Sequence, residues 1–110
     1  MPDLEPDGWN YLIVWEFRVP AAVAEQFERL YGPAGVWAQF FHGTQGFVRT
    51  ELVRDTAQQG RYLTFDFWTS GAAYERFRQS RAAEYQAIDV QCEHVTESEI
   101  EIGRFERGWK

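Results

Sequence analysis

Cysteine is nearly missing: Cys92 stands alone among 110 residues. That excludes an intramolecular disulfide and suits a reducing compartment. No apolar run approaches the roughly 20 residues that a membrane-spanning helix needs. The acidic start, MPDLEPDG, has none of the apolar core of a secretion signal. Cations are outnumbered, with 11 Lys and Arg against 17 Asp and Glu and a net charge of −6. An acidic surface repels phosphates, so nucleic acid is excluded as a partner. No glycine-rich turn follows a strand, which removes the usual nucleotide cradle. The two histidines, His42 and His94, share no metal-ligand spacing with Cys92 or the carboxylates, so no metal is expected. What remains is a soluble, cytoplasmic protein that meets a small molecule or a second copy of itself.

Aromatic residues are abundant: five Trp, five Tyr and nine Phe make 17% of the chain. One domain of this length buries roughly two thirds of the surface its unfolded chain exposes, and rings beyond the core's needs line pockets or interfaces. The organising stretch is RYLTFDFWTSGAAYERF, residues 61–77. It opens as a strand with Leu63, Phe65 and Phe67 on one face and Tyr62, Thr64, Asp66 and Trp68 on the other. Thr69 or Ser70 then suits a helix N-cap. Trp68 thus falls where strand hands over to helix, and the expectation is that its indole borders a cavity.

Around that stretch, Met1–Asn10 reads as a flexible arm with Trp9 pinning its end. Tyr11–Val19 is a strand, with Ile13, Trp15 and Phe17 on one face. Pro20 opens a helix carrying Val23, Phe27, Leu30 and Tyr31 at helical spacing. Gly32-Pro33 stops it, and GVWAQFFHG forms a shorter helical piece. Gly46–Asp55 is a strand of mixed faces, joined by the polar turn TAQQG to the 61–68 strand as a hairpin. One helix is expected from about Gly71 to about Glu93, with Ala73, Tyr74, Phe77, Arg81, Tyr85, Ile88 and Cys92 inward. Ser98–Phe105 alternates Ile100 and Ile102 with Glu99 and Glu101, which suits an edge strand. Residues 11–106 form the domain and 107–110 a tail. The order βαββαβ predicts an α+β, ferredoxin-like fold, a four-stranded antiparallel sheet with two main helices on one face. The other face carries bulky as well as polar residues, and a second copy laid on it makes a homodimer.

At Tyr11–Arg18, Gly46–Leu52 and Tyr62–Phe77 the sequence resembles the antibiotic biosynthesis monooxygenase family. The W-T-S-x-x-A-Y-x-x-F transition of Trp68–Phe77 carries most of the likeness. The resemblance implies a dimeric α+β barrel with a pocket between sheet and helices in each subunit. Some members of the family oxidise polycyclic phenols with molecular oxygen and no metal or flavin, and others open haem. Trp68 matches the family's pocket tryptophan and Tyr74 the tyrosine of the phenol oxidisers. Their asparagine, four residues before the tryptophan, is Thr64 here. The haem-opening members have an iron-binding histidine where this chain has Arg78, and their strand-one asparagine falls at Glu16 or Phe17. Neither haem feature is present, which argues against haem degradation.

The reading that follows is a cofactor-independent oxygenase acting on a small aromatic or polyketide-like substrate. Trp68 and Tyr74 sandwich a ring and Asp66 takes a proton. Arg49 or Arg78 holds the oxyanion, and Thr64, Trp37 and His42 complete the binding set. Oxygen is the co-substrate. The alternative is a non-catalytic homodimeric module that binds a small hydrophobic molecule. Each residue also has a plainer role. Trp68 and Tyr74 suit core rings, Asp66 a cross-strand partner of Arg49, Arg78 a partner of Glu75 or Glu84. His42 suits the C-terminal end of a helix.

Overall fold

The computed structural model describes residues 8–108. Four strands, β1 (Tyr11–Arg18), β2 (Phe47–Arg54), β3 (Arg61–Trp68) and β4 (Ser98–Glu106), pair antiparallel in the order β2-β3-β1-β4. This is the ferredoxin-like plan, with β4 at an edge. Helices α1 (Ala24–Tyr31) and α2 (Val36–Phe41) fill the first crossover, and α3 (Gly71–Ser80) and α4 (Ala82–Cys92) the second. Short 3₁₀ turns precede α1 and follow α4. Among the described residues no helix is long and apolar enough to cross a membrane. The first seven positions of the expected arm, and the last two of the tail, lie outside the described residues.

The core is made of rings. Phe27, Tyr31, Trp37, Phe40, Phe41, Tyr74 and Phe77 from the helices close on Ile13, Phe17, Tyr62 and Trp68 from the sheet. The register puts Ile13 opposite Asp66, Trp15 opposite Thr64 and Phe17 opposite Tyr62, so these residues share the helix-facing side. The start of α3 is fixed twice. The Ser70 hydroxyl accepts from the Ala73 N–H at 3.0 Å, which settles the cap between the two candidates. Gly46 (φ +94°) lies so close to α3 that a Cβ there would meet Ala73 Cβ at 2.4 Å.

The single helix expected over 71–93 is in fact two. Arg81 leaves helical geometry (φ −127°, ψ 33°) between α3 and α4. Its guanidinium binds Glu84 at 2.7 Å and also donates to the Phe40 carbonyl at 3.3 Å, tying the break to the end of α2. The two halves differ in anchorage. Helix α3 buries Ala73, Tyr74 and Phe77, whereas α4 buries Cys92 alone, with Tyr85 and Ile88 half-buried.

The sheet's far side carries Val14, Leu63, Phe65 and Phe67, with Ile100, Ile102 and Phe105 about half exposed. Trp9 lies with its ring 5.1 Å from Phe67 and beneath the Arg107 guanidinium.

Candidate functional site

Along the helix-facing side of β3 the side chains run Tyr62, Thr64, Asp66, Trp68: large, small, small, large. The two rings at the ends reach the helices; the two short side chains between them do not. Thr50 of β2, opposite Asp66, is equally short. The shortfall leaves a cavity of about 40 Å3, open to solvent, between the sheet centre and the helices. Its walls are the rings of Trp15, Phe17, Tyr31, Trp37, Phe41 and Tyr85. Its polar groups are Thr50, Thr64, Asp66, Asp89 of α4 and Glu99 of β4.

Asp66 is the central group. The Thr50 hydroxyl donates to its Oδ1 at 2.9 Å. Burial pushes the carboxyl up to about 6 from an ordinary 3.8, and Thr50 is the one opposing influence; among the described residues no cation acts to pull it back. A carboxylate with that value is poised to accept a proton near neutral pH. Desolvation, and then the charge of Asp89, also raises the Glu99 carboxyl. Burial raises the Tyr31 and Tyr85 phenols, so both stay protonated as donors. Trp37 is 8% exposed, and its indole N–H lies near the Tyr31 hydroxyl and the Cys92 thiol without a well-formed hydrogen bond to either.

Of the sequence candidates, Asp66, Thr64 and Trp37 meet in this cavity. Trp68 does not border it. The indole is fully buried, boxed by Phe41, Phe47, Tyr74 and Phe77 at 5.3–5.7 Å between ring centres. It fills space where hollow space was expected, because rings from α2, α3 and β2 converge on it. Tyr74 packs edge-on against Trp68, 5% exposed, and is likewise absent from the cavity lining. The Arg49 guanidinium lies over the Phe67 ring at 4.1 Å and binds Glu51, on the far side of the sheet from Asp66. It is neither an oxyanion holder for this cavity nor a partner of Asp66. Arg78 stacks on Tyr85 at 3.8 Å, outside the lining, and His42 is exposed at the end of α2.

Sequence reasoning did not select Thr50, Tyr31, Tyr85, Asp89 or Glu99 for the site. The signal for Thr50 was available, since its pairing with Asp66 follows from the hairpin register. Glu99 was hidden by its strand. At the edge the glutamates face the helix side and Ile100 faces away, because β4 shifts register against β1 at Val14/Trp15.

This architecture, with a cavity between sheet and helices, agrees with the sequence comparison. Residues 10–88 match the family described as antibiotic biosynthesis monooxygenase. The chain belongs to that family. No curated protein matches this member. Among solved structures it is similar to SnoaB, a cofactor-independent oxygenase from Streptomyces nogalater. Identity there is 26% over 88% of this chain and 91% of that one, with a TM-score of 0.66. The haem degrader MhuD from Mycobacterium tuberculosis, solved with two haems bound, shares the fold at 20% identity. The match covers 91% of this chain and 97% of that one, with a TM-score of 0.59.

The residues of this member do not fit a haem. No histidine lines the cavity, and His94 shares a hydrogen bond with Gln26 at 3.1 Å. The three cavity carboxylates would repel the acid groups of the macrocycle. Among the described residues no cluster of His, Cys, Asp or Glu is arranged to hold a metal ion.

Proposed function

We propose that this antibiotic biosynthesis monooxygenase homologue is a cofactor-independent oxygenase whose base is Asp66. Its substrate is a small aromatic or polyketide-like molecule with an acidic O–H or C–H. Asp66 takes that proton, and the anion passes one electron to molecular oxygen. The radical pair then closes a C–O bond. The resulting peroxide recovers the proton from Asp66, and loss of water leaves a carbonyl, so that CH2 and O2 become C=O and H2O. The ring walls reduce the water that reaches the anion. The observation that carries this reading is the Asp66 carboxyl, raised to about 6 in a ring-lined cavity. The named likeness to SnoaB supports it.

A space of about 40 Å3 admits a ring's edge but not the ring, since an apolar cavity that holds benzene measures about 150 Å3. Room for a ring would have to come from α4, which buries Cys92 alone. The same small volume favours a second reading, a non-catalytic module that holds a small hydrophobic ligand. Oxygen consumption separates the two. Hydroxylated naphthalenes and anthrones should be oxidised faster with protein than without, and Asp66→Asn should remove the acceleration. A folded protein that binds members of the panel and accelerates none supports the module.

Half-exposed Ile100 and Phe105 on β4, with Phe65 two strands away on the same side, make the far sheet face partly apolar, which supports a homodimer. Sedimentation at micromolar concentration should give twice the chain mass, and Phe65→Glu should give a monomer. A wild-type monomer contradicts the dimer. The lone, buried Cys92 suits a reducing cytoplasm.

A further inference from the structure

The cavity holds three carboxyl groups, Asp66, Asp89 and Glu99, and among the described residues its lining includes no Arg, Lys or His. Proton transfer to Asp66 moves one negative charge onto the ligand and leaves that excess unchanged. Nearby cations are engaged elsewhere. Arg78 lies over Tyr85, Arg81 binds Glu84, and Arg104 binds Glu101 and Glu75. Among the described residues nothing in the lining balances these carboxyl groups, and like charges in a ring-walled space repel. We infer that the ligand brings the missing positive charge itself, as a protonated amine on or beside its unsaturated ring.

This inference rests on the oxygenase reading for the reaction but not for the binding. Three features fit the amine. The six aromatic walls offer π faces to a cation, and such cages favour alkylammonium groups over neutral isosteres. Asp89 on α4 and Glu99 on β4 come from different elements, and the charge of Asp89 acts on Glu99 as a neighbour without a counter-ion between them. A space of about 40 Å3 suits an ammonium head, which is close to a water molecule in size, far better than a fused ring. The indole N–H of Trp37, more than nine-tenths buried and without a well-formed hydrogen bond, adds a donor for an oxygen on the same ligand. An aminated phenol or enol carries every group these walls recognise.

The test is calorimetric titration of the folded full-length chain with three near-isosteres: 1-naphthylmethylamine as its ammonium ion, 1-naphthalenemethanol and 1-naphthoate. The ammonium should bind at least about tenfold tighter than the alcohol, and the carboxylate weakest. Combined Asp89→Asn and Glu99→Gln should bring ammonium and alcohol within about threefold of each other, with the alcohol's affinity kept. Glu25→Gln, which removes one charge from exposed α1 as Asp89→Asn removes one from the cavity, should leave the gap intact. Asp89→Asn alone should narrow it, which covers a double variant that fails to fold. Equal or weaker binding of the ammonium, no binding of any of the three, or a gap untouched by the cavity variants would overturn the inference. Binding is read without oxygen consumption. An ammonium preference in a protein that oxidises nothing sinks the oxygenase reading alone; turnover of uncharged naphthols with no such preference sinks this inference alone.

Discussion

One face of β3 holds two environments within four residues. At Trp68 the indole is enclosed by four rings and exposes nothing. At Thr64 and Asp66, one register step away, side chains stop short of the helices and a cavity opens. The helices repeat the contrast: α3 covers the filled end with three buried residues, and α4 closes the hollow part with one. Position next to an aromatic residue does not make a site. A site forms where flanking bulk holds two layers apart and the residues between are too small to fill the gap.

The sharpest way to break the comparison is at the hollow end. Asp66→Asn keeps the shape and removes the base, so oxidation of an accepted substrate should fall by about 10²–10⁴. The same variant should melt higher at pH 8. The folded carboxyl titrates at about 6 and the unfolded one at about 3.8, so the folded state holds its proton longer. Stability from this group is greatest below pH 4 and is lost as pH rises to about 6, a change on the order of 2–3 kcal/mol. Loss of activity together with a gain in stability at pH 8 would mark Asp66 as functional rather than structural. A lower melting temperature at pH 8 would contradict that assignment.

At the filled end the signs reverse. Trp68→Ala should destabilise by about 3–5 kcal/mol in denaturant unfolding, because it empties a closed ring cluster. Trp68→Phe should retain activity in whatever fraction stays folded. Activity lost by a fully folded Trp68→Phe would return the indole to the site.

Converting the middle into an end is the next test. Thr64→Leu adds apolar volume where β3 is short and should raise stability by about 1 kcal/mol, as cavity filling does. The same change should abolish ligand binding in calorimetry. The smallest effect belongs to Thr50→Val. Removing the hydroxyl that donates to Asp66 at 2.9 Å takes away the one influence that lowers its titration, so the pH profile should move upward by about half a unit.

The sheet was legible from alternation alone, because Leu63, Phe65 and Phe67 against Tyr62, Thr64, Asp66 and Trp68 admits one pairing of faces. The cavity was half legible. Asp66 and Thr64 share a face with Trp68, and that much is read from period two. Which of them borders hollow space depends on how far Phe41, Phe47 and Phe77 reach, and these come from three other elements. The bulge between Phe47 and Arg49 carries Phe47 to the Trp68 side, which breaks the alternation that grouped it with Arg49. The break at Arg81 was hidden as well, since inward spacing runs unbroken from Ala73 to Cys92.

The most direct measurement is the titration of the Asp66 side-chain carboxyl, followed by carbon-detected NMR with Asp66→Asn as the assignment control. A midpoint close to pH 6 is expected for a carboxylate held in a ring-walled cavity by one hydroxyl. A midpoint near 4, the value of an open, hydrated aspartate, would contradict a desolvated base at this position.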